Sequence, residues 1–182
     1  TGPNSVALAS GRTITARVIL IAVGAWPVMP QIDGAEHCIT SNEVFHLREQ
    51  PRRVVIQGAG YIAMEFAGVF NALGSEVTVV NRSDKVLRTY DQEVVERLTG
   101  IMAARGVRFA LGSPIRKVEK LSDGSLLVHA GDSEPVSADA VMIATGRRPK
   151  TDGLGLESVG IALGPNGEVP VDGWNRTSCP SI

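Results

Sequence analysis

The residues best suited to chemistry are Gly58-Ala59-Gly60-Tyr61-Ile62-Ala63, a GxGxxA string. Its chemistry is anion binding. The first glycine permits a tight turn, the second lets the backbone approach a pyrophosphate, and Ala63 keeps the following helix close to the preceding strand. The start of that helix offers free N–H groups and the positive end of its dipole. Such a string is weak evidence alone. It gains force from its setting: the apolar run Val54-Val55-Ile56 before it, a helical pattern over Tyr61 to Leu73 after it, and a second strand at Val77-Thr78-Val79-Val80.

The end of that second strand bears on which nucleotide is taken. A site for NAD places Asp or Glu there, to bind the ribose 2′-hydroxyl. Here the strand runs out as Val79-Val80-Asn81-Arg82, and Glu76 stands at its other end. Arg82 occupies the mouth instead, and Arg88 lies on the connection to the next helix. Two guanidiniums suit a 2′-phosphate, since each makes bidentate charge-assisted bonds. At about 1.5–3 kcal/mol for each charged hydrogen bond, the pair supplies at most roughly two to four decades of preference for NADPH. Asp84 complicates this, because it can pair with Lys85 or Arg88 or point away.

These residues need a framework. Strand, helix, strand, helix, strand is read over Val54–Ile56, Tyr61–Leu73, Val77–Val80, Asp91–Arg105 and Val107–Ala110, which implies parallel pairing. Ile62, Phe66, Val69 and Leu73 are expected on one buried stripe of the first helix, with Gly74 as its stop. Asp91 caps the second helix and Gly106 ends it. From Ile115 the period changes to two, giving a meander over Ile115–Leu121, Ser125–Ala130 and Glu134–Ser137, followed by a buried strand over Ala138–Ala144. Before this domain, a hairpin is expected over Val6–Ala9 and Thr13–Ala16, and a strand covered on both faces over Val18–Gly24. Trp26 to Gly34 reads as a linker, and Ser41-Asn42-Glu43 as the cap of a short helix through Leu47. The expected fold class is α/β: a Rossmann-like, three-layer nucleotide-binding domain with a β-meander.

Composition narrows the class. The 182 residues are 43% hydrophobic and 20% charged, with a formal net charge of -1, so no global basic field exists for nucleic acid. No apolar run approaches the ~20 residues of a membrane helix. Cys38 and Cys179 form no CxxC or CxxxxC pair and read as free thiols of a reducing cytoplasm, although a structural disulfide is the alternative. His37, His46 and His129 show no metal-ligand spacing. The opening Thr1-Gly2-Pro3-Asn4 lacks a methionine, and the last residues, Arg176 to Ile182, read as the start of a strand; a piece of a longer chain is expected.

Three stretches carry a resemblance. Gly58-Ala59-Gly60-Tyr61-Ile62-Ala63-Met64-Glu65-Phe66-Ala67-Gly68, Arg82 through Leu87-Arg88-Thr89-Tyr90-Asp91, and Ala144-Thr145-Gly146-Arg147-Arg148-Pro149 resemble motifs of the pyridine nucleotide-disulfide oxidoreductase family. Ala22-Val23-Gly24 is similar to the family's earlier ATG segment, with Val in place of Thr. The resemblance implies hydride transfer from NADPH to FAD, whose reduced form opens an active-site disulfide that reduces oxidised glutathione. It implies that Tyr61 covers the nicotinamide pocket and that Glu65 lies near nicotinamide and flavin. It also makes Ala63 and Ala67 an NADP-type pair. The expected cofactor-binding set is thus Gly58, Gly60, Tyr61, Ile62, Ala63, Glu65, Arg82, Arg88, Ala144 and Gly146, with no catalytic residue and no metal ligand.

Departures from the family are equally informative. Its FAD-binding GxGxxG, redox CxxxxC, FAD-holding GD motif and dimer domain with a His-Glu pair are not in this sequence. The resemblance therefore implies a homodimeric parent enzyme, with FAD held by the parent and not by this chain alone. Residues 1–50 are expected to be the C-terminal part of an FAD-binding domain and a linker, 51–150 the NADPH-binding domain, and 151–182 a return segment toward the FAD domain. The alternatives are a freestanding nucleotide-binding regulatory module, and a piece of NAD-dependent dihydrolipoamide dehydrogenase, against which Asn81 and Arg82 argue.

Overall fold

The computed structural model describes residues 2–182. In chain order its strands are β1 (Ser5–Ala7), β2 (Thr13–Thr15), β3 (Ala25–Pro27), β4 (Ile39–Thr40), β5 (Arg53–Gln57), β6 (Glu76–Val80), β7 (Arg108–Ala110), β8 (Ile115–Lys120), β9 (Leu126–Ala130), β10 (Val136–Ala138), β11 (Ala140–Ile143) and β12 (Arg147–Pro149). Helix α1 (Tyr61–Ala72) lies between β5 and β6, and α2 (Gln92–Ala104) between β6 and β7. The chain forms two compact units, residues 27–146 and residues 1–26 with 147–182.

The larger unit is built on a parallel sheet of order β4-β11-β5-β6-β7. Strands in such a sheet are covered on both faces, which is why they are almost uninterrupted Val and Ile. Successive side chains alternate between faces. Val54, Ile56, Val77, Val79 and Met142 pack with α1 and α2 through Ala63, Met64, Ala67, Phe70, Val95 and Met102. Val55, Val80, Val141 and Ile143 pack with the meander β8-β9-β10 through Ile115, Val118, Leu126, Val128 and Ala138. Helices, sheet and meander make the three layers of the expected α/β, Rossmann-like fold.

Both helices end as the sequence anticipates. After α1, Gly74 N–H donates to Asn71 O and Ser75 N–H to Phe70 O; after α2, Gly106 N–H donates to Ala103 O and Val107 N–H to Met102 O. These are Schellman closures. Asp91 caps α2, its Oδ1 accepting from Glu93 N (3.0 Å) and Val94 N (3.3 Å).

The buried stripe of α1 departs from expectation. Ala63, Met64, Ala67 and Phe70 are buried, whereas Val69 and Leu73 are 51% and 62% exposed. Ala63 and Ala67, one turn apart, let the helix axis lie close to the sheet, and Met64 and Phe70 fill the space beside them, so the buried stripe is offset from the expected one. Ile62 and Phe66 are only partly buried at the edge of that core. The Ser41-Asn42-Glu43 cap does not form. Glu43 instead accepts from Thr40 Oγ1 (2.6 Å) and Thr40 N (2.7 Å), which holds its carboxyl below the ordinary range, and only a 3-10 turn follows at Val44–His46. Strand β4, inside the stretch between linker and domain, was too short to show a period.

The carboxylate of Asp139, between β10 and β11, spans the amino ends of β5 and β11. It accepts from Arg53 N (2.8 Å) and Arg53 Nη2 (2.6 Å), while Asp139 N donates to Arg53 O (2.8 Å). The Arg53 guanidinium is the main reason its carboxyl sits below the usual range. A carboxyl depressed in the folded state adds stability that is complete above its unfolded pKa, near 3.9, and is lost as pH falls through the lower folded value. Asp139→Asn is therefore expected to lower Tm at pH 7, with a gap from the parent that closes as pH falls through the lowered folded value in paired thermal melts. A gap that persists at low pH contradicts the ion pair as its source.

In the smaller unit, β1 and β2 pair antiparallel with Val6 opposite Ile14, as the hairpin reading anticipates. Strands β3 and β12 pair with each other. Lys150 Nζ lies 4.4 Å from the Trp26 ring centroid, a cation–π contact. Leu156, Ile161 and Cys179 form a small core with Ile21 and Ile182. The expected buried strand over Val18–Gly24 is not formed: the run joins no sheet among the described residues, Gly24 has φ +70°, and Leu20 is 84% exposed. An apolar β-rich run becomes a strand only where neighbours complete its ladder. Residues 176–182 likewise form turns, not a strand, with Ser181 O accepting from Ile19 N (2.7 Å).

Candidate dinucleotide-binding site

The sheet order reverses between β5 and β11: from β5 the chain moves out through β6 to β7, then returns to β11 on the other side. The carboxyl ends of the strands at such a reversal are the usual ligand position in open α/β sheets. The sequence places Gly58–Ala63 after β5 and Ala144–Gly146 after β11, so both expected groups meet at this switch point.

Their approach is direct. Gly58 has φ +124°, and a Cβ on it would lie 2.3 Å from Ala144 O and 2.7 Å from Ala144 C. Ala144 N donates to Gln57 O (2.7 Å), and Gly58 N to Val80 O (2.8 Å). Gly60 differs: its φ is ordinary at -82°, and nothing lies within 4 Å of the Cβ it lacks. The fold therefore requires the first glycine, while the second keeps open space over the helix start. Gly60 is the N-cap of α1, with no side chain capping it, and the first helical bond of the turn is Met64 N to Gly60 O (3.1 Å). The N–H groups of Tyr61 and Ile62 thus remain available to an anion. Ala63 is fully buried against the sheet.

Tyr61 is 55% exposed, and Glu65, one turn further on, is exposed on the same face. Gln57, at the end of β5, is buried with its amide Oε1 unpartnered among the described residues. Sequence reading passed over this residue, since a single polar side chain closing an apolar strand carries no pattern.

Residues 81–90 connect β6 to α2. Leu87 N donates to Ala59 O (2.8 Å), tying this loop to the glycine turn, and the buried Val86 anchors it to the helix-side core. Sequence could not find this link, because Leu87 makes it through its backbone at φ +47°, a conformation rare for leucine. Arg82 and Arg88 are exposed, and neither has a hydrogen-bond or ion-pair partner among the described residues. Asp84 and Lys85 are exposed too, and Asp84 forms no ion pair with either arginine. The loop thus presents three cations and one carboxylate, and is joined to the glycine turn. Glu76 pairs with Arg108 Nη2 (3.6 Å) at the far end of β6.

The cysteines are both free. Burial, followed by the nearby Glu36 carboxylate, pushes the Cys38 thiol up to about 11, so at neutral pH it is not the thiolate that disulfide exchange requires. His37 and His46 lie in 3-10 turns and His129 in β9.

A glycine turn at a topological switch point, opening onto an uncapped helix, defines a Rossmann-type dinucleotide-binding module. The chain belongs to the pyridine nucleotide-disulphide oxidoreductase family, whose sequence profile matches residues 1–182. It is 46% identical over 181 residues to a glutathione reductase of Burkholderia cepacia, covering 100% of this chain and 40% of that protein. It is 41% identical over 172 residues to a trypanothione reductase of Trypanosoma congolense, covering 93% of this chain and 35% of that one. Among solved structures, the HOCl-induced flavoprotein disulfide reductase of Escherichia coli superposes with a TM-score of 0.90 at 29% identity, over 100% of this chain and 42% of its own. The chain thus spans about 40% of the length of the relatives it matches. Among the described residues, no helix is long and apolar enough to cross a membrane.

Proposed function

We propose that this chain is the NADPH-binding part of a flavoprotein disulfide reductase acting on glutathione disulfide. The observation that carries the reading is the loop of residues 81–90, hydrogen-bonded to the phosphate turn through Leu87 and Ala59 and presenting Arg82 and Arg88 without internal partners. Gly58, Gly60, Ile62 and Ala63 would hold the pyrophosphate through backbone N–H groups and close packing. Arg82 and Arg88 would clasp the 2′-phosphate, while Ala144 and Gly146 would form the opposite wall. Tyr61 and Glu65, on the exposed face of α1, would meet the nicotinamide, with Tyr61 excluding water from that pocket. When bound, NADPH would supply a hydride, whose electrons the parent's FAD would carry to a disulfide.

In this reading residues 51–150 are the NADPH domain, 1–50 and 151–182 belong with an FAD domain, and the working enzyme is a cytoplasmic homodimer. The 46% identity to a glutathione reductase supports glutathione disulfide as the acceptor. The test is steady-state turnover of the full-length protein with NADPH or NADH and a panel of disulfides. NADPH is expected to exceed NADH in kcat/KM by about a hundred-fold, some 2.8 kcal/mol of discrimination, with glutathione disulfide the fastest acceptor. Equal use of both nucleotides overturns the coenzyme assignment; preference for another disulfide overturns the substrate.

A further inference from the structure

Asn81 stands where NAD-selective sites keep a carboxylate, yet it is not simply a missing acid. Its side-chain Nδ2 donates to Ser83 O (3.0 Å) and to Lys85 O (3.2 Å). Two carbonyl oxygens at hydrogen-bond distance fix which way the amide faces, since only the nitrogen can donate to both. The backbone of the same residue is held on both sides: Asn81 N donates to Ala110 O (3.1 Å), and Asn81 O accepts from Ser113 N (2.8 Å). Gly112 N reaches Ser83 O (3.2 Å), and Ser83 Oγ accepts from Lys85 N (3.0 Å). One residue, locked to the end of β7, therefore gathers the carbonyls of the segment that follows Arg82.

We propose that Asn81 is a positioning residue for 2′-phosphate recognition: its amide staples residues 83–85 so that Arg82 and Arg88 are presented together. The inference rests on the NADPH reading above. It follows from the chemistry of the two donors. A carboxylate at this position would set its oxygens against two carbonyl oxygens at about 3 Å, so the residue that suits NAD elsewhere would here open the loop. An apolar side chain of the same size would leave Lys85 O to water and Ser83 O to Gly112 N alone, and so loosen the loop. Arg82 and Arg88 would then pay an ordering cost on binding that the staple otherwise removes.

The experiment compares 2′,5′-ADP and 5′-AMP, two probes that differ by the 2′-phosphate, by calorimetric titration of the full chain carrying Asn81→Leu, Arg82→Ala with Arg88→Ala, or all three changes. Asn81→Leu is expected to weaken 2′,5′-ADP about ten-fold, the scale of two neutral hydrogen bonds, and 5′-AMP by less than about two-fold. In the background lacking both arginines, Asn81→Leu should have no further effect on discrimination, because its influence runs through them. Equal loss of both probes, as general loosening of the fold would cause, overturns the proposal. So does an undiminished effect in the arginine-free background. If the arginine changes themselves leave discrimination intact, the NADPH reading fails first, and the two failures are distinguishable.

Discussion

Replacing Arg82 and Arg88 together with alanine is expected to raise the NADPH dissociation constant about a hundred-fold or more while moving that for NADH only a few-fold. Both side chains are exposed and make no internal hydrogen bond or ion pair among the described residues, so their removal costs the fold little. Their worth lies in a ligand that brings charge to them. A phosphate monoester carries nearly two negative charges at neutral pH, and guanidinium–phosphate contacts are charge-assisted and bidentate. NADH lacks that group, and the pyrophosphate it shares with NADPH would, in this reading, meet the backbone of Gly58 to Ala63. Titration of both nucleotides, with thermal melts to show an unchanged Tm, checks this. Salt should weaken NADPH binding more steeply than NADH binding in the parent, and the difference should shrink in the double variant.

Gly58→Ala and Gly60→Ala are expected to separate stability from binding. At Gly58 a methyl group would enter at 2.3 Å from Ala144 O, in a backbone conformation of φ +124°. Backbone strain of about 1–3 kcal/mol and overpacking of similar size add to about 4 kcal/mol. That is a large share of a typical domain's stability, and Tm should fall by roughly 10 °C. At Gly60 the conformation is ordinary and the space is open. Alanine there should cost within about 1 kcal/mol as a poorer N-cap, yet weaken both nucleotides by obstructing the pyrophosphate. Thermal melts and titrations on the two variants give the pattern. Equal stability losses would mean that the glycines are not divided in this way.

The main architecture was legible because its signals are local and mutually consistent. Val54–Ile56, the glycine turn, Gly74 and Gly106 as helix stops, and the switch to period two at Ile115 each state a local preference, and the sheet agrees with all of them. What was not legible depends on contacts distant in sequence. The apolar run at Val18–Gly24 has strand propensity but no ladder partner among the described residues. The inner face of α1 is offset from the expected stripe because apolar residues surround most of this helix, and only the sheet's position selects Ala63, Met64, Ala67 and Phe70. In the site, residue types announced the phosphate turn and the arginines. The backbone bond from Leu87 to Ala59, which brings them together, uses no side chain and leaves no trace in composition. The Asn81 staple was visible only as an asparagine two residues before a serine, a pattern shared by many turns.

The most direct measurement is a crystal structure of the protein with NADPH bound. The phosphate on the adenosine ribose is predicted to lie within ion-pair distance of both Arg82 and Arg88, with the pyrophosphate over Gly60 at the start of α1. A nucleotide seated at the glycine turn with its 2′-phosphate in solvent, away from both guanidiniums, would contradict the account.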